Sequence, residues 1–177
     1  MEKKIYEVIV VGGGMAGVCA AIASARTGAC TALIQDRPVL GGNASSEIRM
    51  HICGATHHGH RENARETGIL EEILLENRSR NPQHSFSIFD TVLWEKVRQE
   101  EKLELYLNTR VTDVETADGR ILNLKAHQLT TEKEFILEGT LYMDCTGDGM
   151  IAARAGASVR QGREGRTEFG ETYAPDE

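Results

Sequence analysis

The sequence predicts an α/β fold: a central parallel sheet with flanking helices, joined by a three-stranded antiparallel β-meander. Three observations predict it. An apolar, β-branched run at residues 5–11 breaks into Gly12-Gly13-Gly14-Met15-Ala16-Gly17. Small residues with helix propensity fill 15–27, and a second strand-like run occupies 30–35. Further on, residues 111–138 alternate in polarity and break at Asp118-Gly119, a strong hairpin-turn pair.

The first unit therefore reads strand, glycine turn, helix, strand, with glycine at all three positions of G-x-G-x-x-G. In that context the pattern is a dinucleotide-binding fingerprint. Gly12 permits a tight turn, Gly14 lets a pyrophosphate approach backbone with no Cβ in the way, and Gly17 lets the helix lie against the strand. The unpaired N–H groups of the first helical turn then face the phosphates, where the helix dipole also favours negative charge. The competing reading is tight packing in a nucleotide-free α/β protein; two flanking strands and an apolar helix favour the nucleotide.

A chain of 177 residues is the length of one domain, long enough to bury a single core. Residues 1–177 are thus expected to form one unit. The formal charge of −7 and the absence of a basic run with interleaved aromatics argue against nucleic acid or an anionic membrane as partner. The N-terminal apolar run is too short to span a membrane and lacks a signal-peptide cleavage pattern, so a cytoplasmic protein is expected. Cys19, Cys30, Cys53 and Cys145 are scattered with no C-x-x-C pair, so neither a metal site nor a redox dithiol is expected.

The end of the second strand normally carries the residue that binds an adenosine ribose. That position falls on Gln35, with Asp36 next. A glutamine can hydrogen-bond a diol, though without the charge that repels a 2′-phosphate. Either residue suits the contact, and Asp36 also reads as a plain solvated strand-end carboxylate. Next comes Leu40-Gly41-Gly42-Asn43-Ala44-Ser45-Ser46-Glu47. Adjacent glycines followed by small polar residues suit a loop whose backbone runs beside a ligand.

With these motifs the chain resembles the FAD-dependent oxidoreductases of the two-dinucleotide-binding-fold type, closest to the bacterial group whose second glycine motif reads LGGNASSE. The resemblance rests on Gly12, Gly14 and Gly17; on Gly41, Gly42 and Asn43; on Val111 at the end of a strand; and on the Thr146-Gly147-Asp148 turn. It implies a Rossmann-like FAD/NAD(P)-binding domain with FAD extended across it. The pyrophosphate would lie over Gly14, Met15, Ala16 and Gly17, the adenine near the Val111 backbone, and the ribitol and ring beside the Gly42 loop, with Gly147 approaching the cofactor. Gln35 departs from the glutamate usual in the family. The family is also much longer, which makes 1–177 the N-terminal part of a flavoenzyme, either a shortened chain or the product of an incomplete gene.

Directly after the loop, residues 48–60 hold Arg49, His51, Cys53, His57, His58 and His60. An arginine there can stabilise negative charge on a reduced flavin, and a histidine can exchange a proton with substrate. Arg49 and His51 are accordingly the candidate catalytic residues. His57-His58-x-His60 lacks the i, i+4 spacing of a helical metal site and reads as a surface loop.

An amphipathic helix is expected at 61–78, with Ile69, Leu70, Ile73 and Leu74 at helical spacing, and Asn81-Pro82 breaks it. A second helix follows at 89–101 and a short strand at 103–107. After the meander a separate strand is expected at 140–145, then a helix from Ile151. Asp148 suits a cofactor hydroxyl or simply a turn. Residues 156–177, rich in Gly, Arg and Glu without periodicity, read as a connection towards a substrate domain.

The function expected is that of an FAD-binding portion of an oxidoreductase taking a hydride from a small molecule, with a carbohydrate-related one as the candidate. A non-catalytic nucleotide-binding module and a nucleotide-free scaffold for a partner are the alternatives, and a homo-oligomer is left open.

Overall fold

The computed structural model describes residues 1–55, 60 and 64–176. Its sheet is built on β1 (Glu2–Val11), which passes through the glycine turn into α1 (Met15–Arg26) and returns as β2 (Thr31–Ile34). A single 3₁₀ turn at Gly42–Ala44 precedes α2 (Gly68–Arg80), α3 (Phe86–Arg98) and β3 (Leu103–Tyr106). The meander is β4 (Thr109–Ala117), β5 (Arg120–Gln128) and β6 (Lys133–Asp144), followed by two short helices, α4 (Met150–Arg154) and α5 (Arg166–Phe169). The six strands form one sheet in the order β3-β2-β1-β6-β5-β4. Pairing is parallel from β3 to β6 and antiparallel through β5 and β4.

β1 is central and apolar on both faces, as a strand covered on both sides must be. Val8 and Val10 join Val18, Ile22, Ile73 and Leu93 in a core beneath the helices. Ile9 and Val11 join Val111, Leu124, Leu137 and Ile151 on the other face. The strand starts at Glu2, before its apolar run, because Glu2, Lys3 and Lys4 pair with Phe135, Ile136 and Leu137 of β6. Its length is set by the neighbour that satisfies its backbone, not by hydropathy.

The separate strand expected at 140–145 is absent as such. It is the second half of β6, one strand of 12 residues. Its first part pairs antiparallel with β5, while the stretch from Phe135 to Asp144 pairs parallel with β1. Gly139, at the point where a break was expected, serves packing instead: a Cβ there would fall 2.9 Å from Cδ1 of Ile9.

The helices also depart in their bounds. α2 begins at Gly68, with Thr67 extended at its N-cap, rather than at residue 61. Residues 61–63 lie outside the described residues, and 64–67 are not helical. Glu66 turns back to accept a hydrogen bond from the Ala55 N–H at 2.8 Å. All four apolar positions of the expected helix do lie within α2. α3 starts three residues early, after Ser85. Buried Asn81 joins the two helices: its amide donates to Asn77 Oδ1 and the Ser85 carbonyl, and its oxygen accepts from the Ser85 N–H.

Two bulges in β4 against β5 raise the local twist. The start of β4 follows directly on β3, the partner of β2, and so meets the end of β2, where the Thr109 N–H donates to the Gln35 carbonyl at 2.9 Å. This closure places Val111 beside the glycine turn.

Candidate functional site

The carboxyl ends of β1 and β2 and the N-terminus of α1 meet at the glycine turn, whose three fingerprint glycines have different reasons to lack a side chain. Gly12 has φ +102°, and a Cβ on it would fall 2.2 Å from the Cys145 carbonyl oxygen. A Cβ on Gly17 would fall 1.8 Å from the Gly12 carbonyl oxygen. Both are closed by the protein's own backbone. Gly14 is open: nothing lies within 4 Å of the position its Cβ would take. It is the N-cap of α1, with extended backbone and no acidic residue in the first helical turn. The first-turn N–H groups, which have no partner within the helix, end at this open space.

The second glycine loop is tied to the turn. The Gly41 N–H donates to the Gly13 carbonyl at 2.8 Å, and Gly14 and Gly41 form an isolated parallel bridge. Gly41 has φ +107°, and a Cβ on Gly42 would fall 3.1 Å from Gly14 Cα. Around the loop, Arg37 pairs with both oxygens of Glu47 at 2.9 and 2.7 Å, and the Ser46 N–H donates to Asp90 on α3 at 3.0 Å.

Turn, loop and strand ends enclose a cleft of about 750 Å³. Gly12, Gly14, Met15 and Ala16 line it from the turn, and Gly41, Gly42 and Asn43 from the loop. Gln35, Asp36, Val111 and Gly147 line it from the strand ends. Gly17 lies behind the turn and acts through packing. His51 lines the cleft, together with Met50, Ile52 and Cys53. Arg49 is not among the lining residues: it has φ 64°, and its Nε donates to the Ser46 carbonyl at 3.1 Å. The structure thus separates the two candidate catalytic residues. His57 and His58 lie outside the described residues.

Gln35 is buried with its amide engaged by backbone. Its Oε1 accepts from the Gly13 N–H at 2.8 Å, and its Nε2 donates to the Val39 carbonyl at 3.2 Å. Asp36 beside it is exposed.

Asp144, at the end of β6, is a residue that reading the sequence passed over in favour of Asp148. Its Oδ1 accepts from the Thr146 N–H and hydroxyl at 3.0 and 2.7 Å, and its Oδ2 from the Ala152 N–H at 2.8 Å. Burial opposes its ionisation, but the hydrogen bonds from Ala152, Thr146 and Ile151 outweigh it and hold the carboxyl below its ordinary range. Asp144 fixes the 146–149 turn, in which Gly147 has φ +84° and open space over its Cα. The available signal was an aspartate two residues before a threonine at a strand end, a pattern in which the carboxylate caps its own turn. Asp148 lines the cleft, as does Cys145, whose thiol pKa is raised by burial and by the neighbouring Asp144.

Residues 7–176 match the family described as FAD dependent oxidoreductase, and the chain belongs to that family. FAD is accordingly its cofactor. The chain is 33% identical over 167 residues to the tRNA uridine 5-carboxymethylaminomethyl modification enzyme MnmG of Mycoplasma mycoides subsp. mycoides SC, a match covering 77% of this chain and 26% of that protein. MnmG of Mycoplasma capricolum subsp. capricolum matches with the same identity and coverage. The chain thus spans about a quarter of the length of these relatives.

Among solved structures, a geranylgeranyl bacteriochlorophyll reductase-like protein from Thermoplasma acidophilum aligns with TM-score 0.59 at 17% identity, covering 88% of this chain and 43% of that one. THI4 from Thermovibrio ammonificans aligns with TM-score 0.57 at 18% identity, covering 95% and 64%. These likenesses establish the fold, a Rossmann-like α/β domain.

The cleft fits an extended dinucleotide. Its volume is that of a cofactor site, the space over Gly14 admits a diphosphate against backbone, and the helix terminus facing it carries no carboxylate to repel one. No helix among the described residues is long and apolar enough to cross a membrane.

Proposed function

We propose that this chain is the FAD-binding portion of a flavin-dependent oxidoreductase that takes a hydride from a small-molecule substrate. One observation carries the reading: of the three fingerprint glycines, only Gly14 faces open space, at the helix terminus best suited to a diphosphate. Gly14, Met15 and Ala16 would hold the pyrophosphate, with Gly12 and Gly17 shaping the turn behind it. The Val111 backbone would meet the adenine, while Gly41, Gly42, Asn43 and Gly147 would border the ribitol and ring. Residues 1–177 serve as a single binding unit.

Bound FAD supplies a two-electron acceptor. His51, on the cleft wall, is placed to take the proton that an alcohol-like donor releases on oxidation. Arg49 reaches the cleft only if its bond to the Ser46 carbonyl is exchanged for one to an anionic group. A carbohydrate-related donor remains the substrate to test first.

A second reading draws on the relatives named as tRNA uridine modification enzymes, in which the substrate is a base within RNA. The formal charge of −7 on this portion weighs against its making the phosphate contacts itself.

The test is to identify the ligand released on denaturing the purified protein, and to compare ADP, NAD and FAD affinities by calorimetry. Released FAD, and FAD binding tighter than ADP, support a flavin site. Anaerobic bleaching of the bound flavin by sugars or sugar alcohols would separate the small-molecule reading from one in which only tRNA acts as substrate. A chain that binds none of the three nucleotides is a scaffold, and the proposal fails.

A further inference from the structure

The wall of the cleft that carries His51 belongs to no helix or strand. Residues 49–53 run along it as irregular backbone, and Met50, His51, Ile52 and Cys53 all line the space. Such a stretch keeps its place only through the contacts that tie it down. At its start the Met50 N–H donates to the Asn43 carbonyl at 2.8 Å, and shortly before it the Ser46 N–H donates to Asp90 of α3 at 3.0 Å. In its middle Ile52 packs against the core beneath the helices. The N–H groups of His51, Ile52 and Cys53 donate to no described backbone carbonyl. The far end is held by a side chain instead: the Ala55 N–H donates to Oε1 of Glu66, 11 positions away, at 2.8 Å. Residue 54 between them is a glycine, where a Cβ would run into that same oxygen.

Glu66 is half-buried and stands two residues before α2. That helix is fixed by fully buried Ile73 and by the pairs of Glu72 with Arg26 of α1 and Lys96 of α3. Building on the FAD reading above, we propose that Glu66 is a positioning residue for the flavin-side wall: it carries the placement of the helical layer to Ala55 and so holds His51 beside the ring. It touches neither cofactor nor substrate. Two carboxylates of the helical layer, Asp90 and Glu66, thus bracket the wall, and a hydrogen bond to a charged acceptor is strong enough to fix an otherwise untied end. The glycine turn at Gly14 and the strand end at Val111 belong to other elements. Loss of the Glu66 contact is therefore felt in the flavin half of the cleft and not in the adenosine half.

Calorimetry with ADP and with FAD, together with the absorption spectrum of the bound flavin, tests this. ADP reports the adenosine half alone, and FAD reports both. In Glu66→Ala, FAD affinity should fall about tenfold, the loss that one hydrogen bond to a charged group makes, and the bound-flavin spectrum should shift from that of the wild type. ADP affinity should stay within about twofold. Glu66→Asp keeps the charge but draws the oxygen back by one methylene, and should lose FAD affinity in the same sense. Glu66→Gln keeps both the reach and an acceptor oxygen, and should restore FAD affinity and spectrum. Equal losses for ADP and FAD would make Glu66 a determinant of the fold at large, and unchanged FAD affinity in the alanine and aspartate variants would show that the wall needs no such anchor. Either result overturns the proposal, while tight FAD uptake by the wild type leaves the flavin reading standing. A wild type that binds FAD no more tightly than ADP overturns that reading, and this one with it.

Discussion

The carbonyl oxygen of Gly12 lies where a side chain on Gly17 would begin, 1.8 Å from the Cβ position. The same turn leaves Gly14 facing open space, so its glycines respond to substitution in opposite ways.

Gly17→Ala removes a glycine from a helix, a change that in isolation stabilises by about 1 kcal/mol. Here the atom in the way is the Gly12 carbonyl oxygen, which is backbone and cannot rotate aside. Overpacking, about 3 kcal/mol, outweighs the helix gain, and a net loss of about 2 kcal/mol is expected. Urea unfolding of the ligand-free chain measures it; an unchanged or higher midpoint would show that α1 sits farther from the turn.

Gly14→Ala behaves in the reverse manner. Its backbone, with φ −65° and ψ 177°, is one that any residue adopts. The ligand-free stability should stay within about 1 kcal/mol of wild type, helped by a less flexible unfolded chain. FAD affinity should nevertheless fall at least about tenfold, since the methyl group enters the space assigned to the diphosphate. Gly14→Val should weaken it further. Unchanged affinity in the valine variant would remove the turn from the site.

Asp144 makes a pH-dependent contribution. Its folded-state pKa lies below the ordinary 3.8, so the stabilisation is fully present above that value and is lost as pH falls through the lower, folded-state pKa. Asp144→Ala strands the N–H groups of Thr146 and Ala152 and should cost about 2 kcal/mol at neutral pH. The deficit should shrink on acidification below 3.8. Paired denaturation curves at neutral and strongly acidic pH check both sign and window; a deficit independent of pH would mean that the charge is irrelevant.

Glu72 on α2 links the three helices through Arg26 on α1 at 2.7 Å and Lys96 on α3 at 2.9 Å. Hydrogen bonds from Arg26 and Lys96, in that order, lower its pKa to about 2. The sign matches that of Asp144: stabilisation present above 4.5 and lost as pH falls towards 2. Solvent screens this surface carboxylate, however, and Glu72→Gln should cost only about 0.5 kcal/mol in dilute buffer. In about 1 M salt the difference should vanish. A cost that survives salt would point to packing of the side chain rather than its charge.

Much of this molecule is written locally. The glycine spacing predicted the turn because close backbone approach is a property of the few residues that make it, and the adjacent glycines of the second loop announced themselves in the same way. Period-2 alternation and the Asp118-Gly119 turn located β4 and β5, since hairpin geometry is decided by neighbours in sequence. Strand and helix bounds were less legible. β6 runs straight through Gly139 because β1 lies beside it, and α2 starts late because Glu66 is drawn back to Ala55.

By itself, then, the sequence determined the α/β class, the order of the elements as far as the meander, the fingerprint and the family. The tertiary structure alone decided which groups are free to meet a ligand. Gln35 and Asp36 are adjacent, polar and both on the cleft wall, and only the meeting of Gln35 with Gly13, 22 positions away, engages one side chain with backbone and leaves the other exposed. Arg49 and His51 were likewise separated by where the loop backbone turned. The reason is common to these cases: a side chain's availability depends on partners that distant parts of the chain supply, and folding is what brings them together.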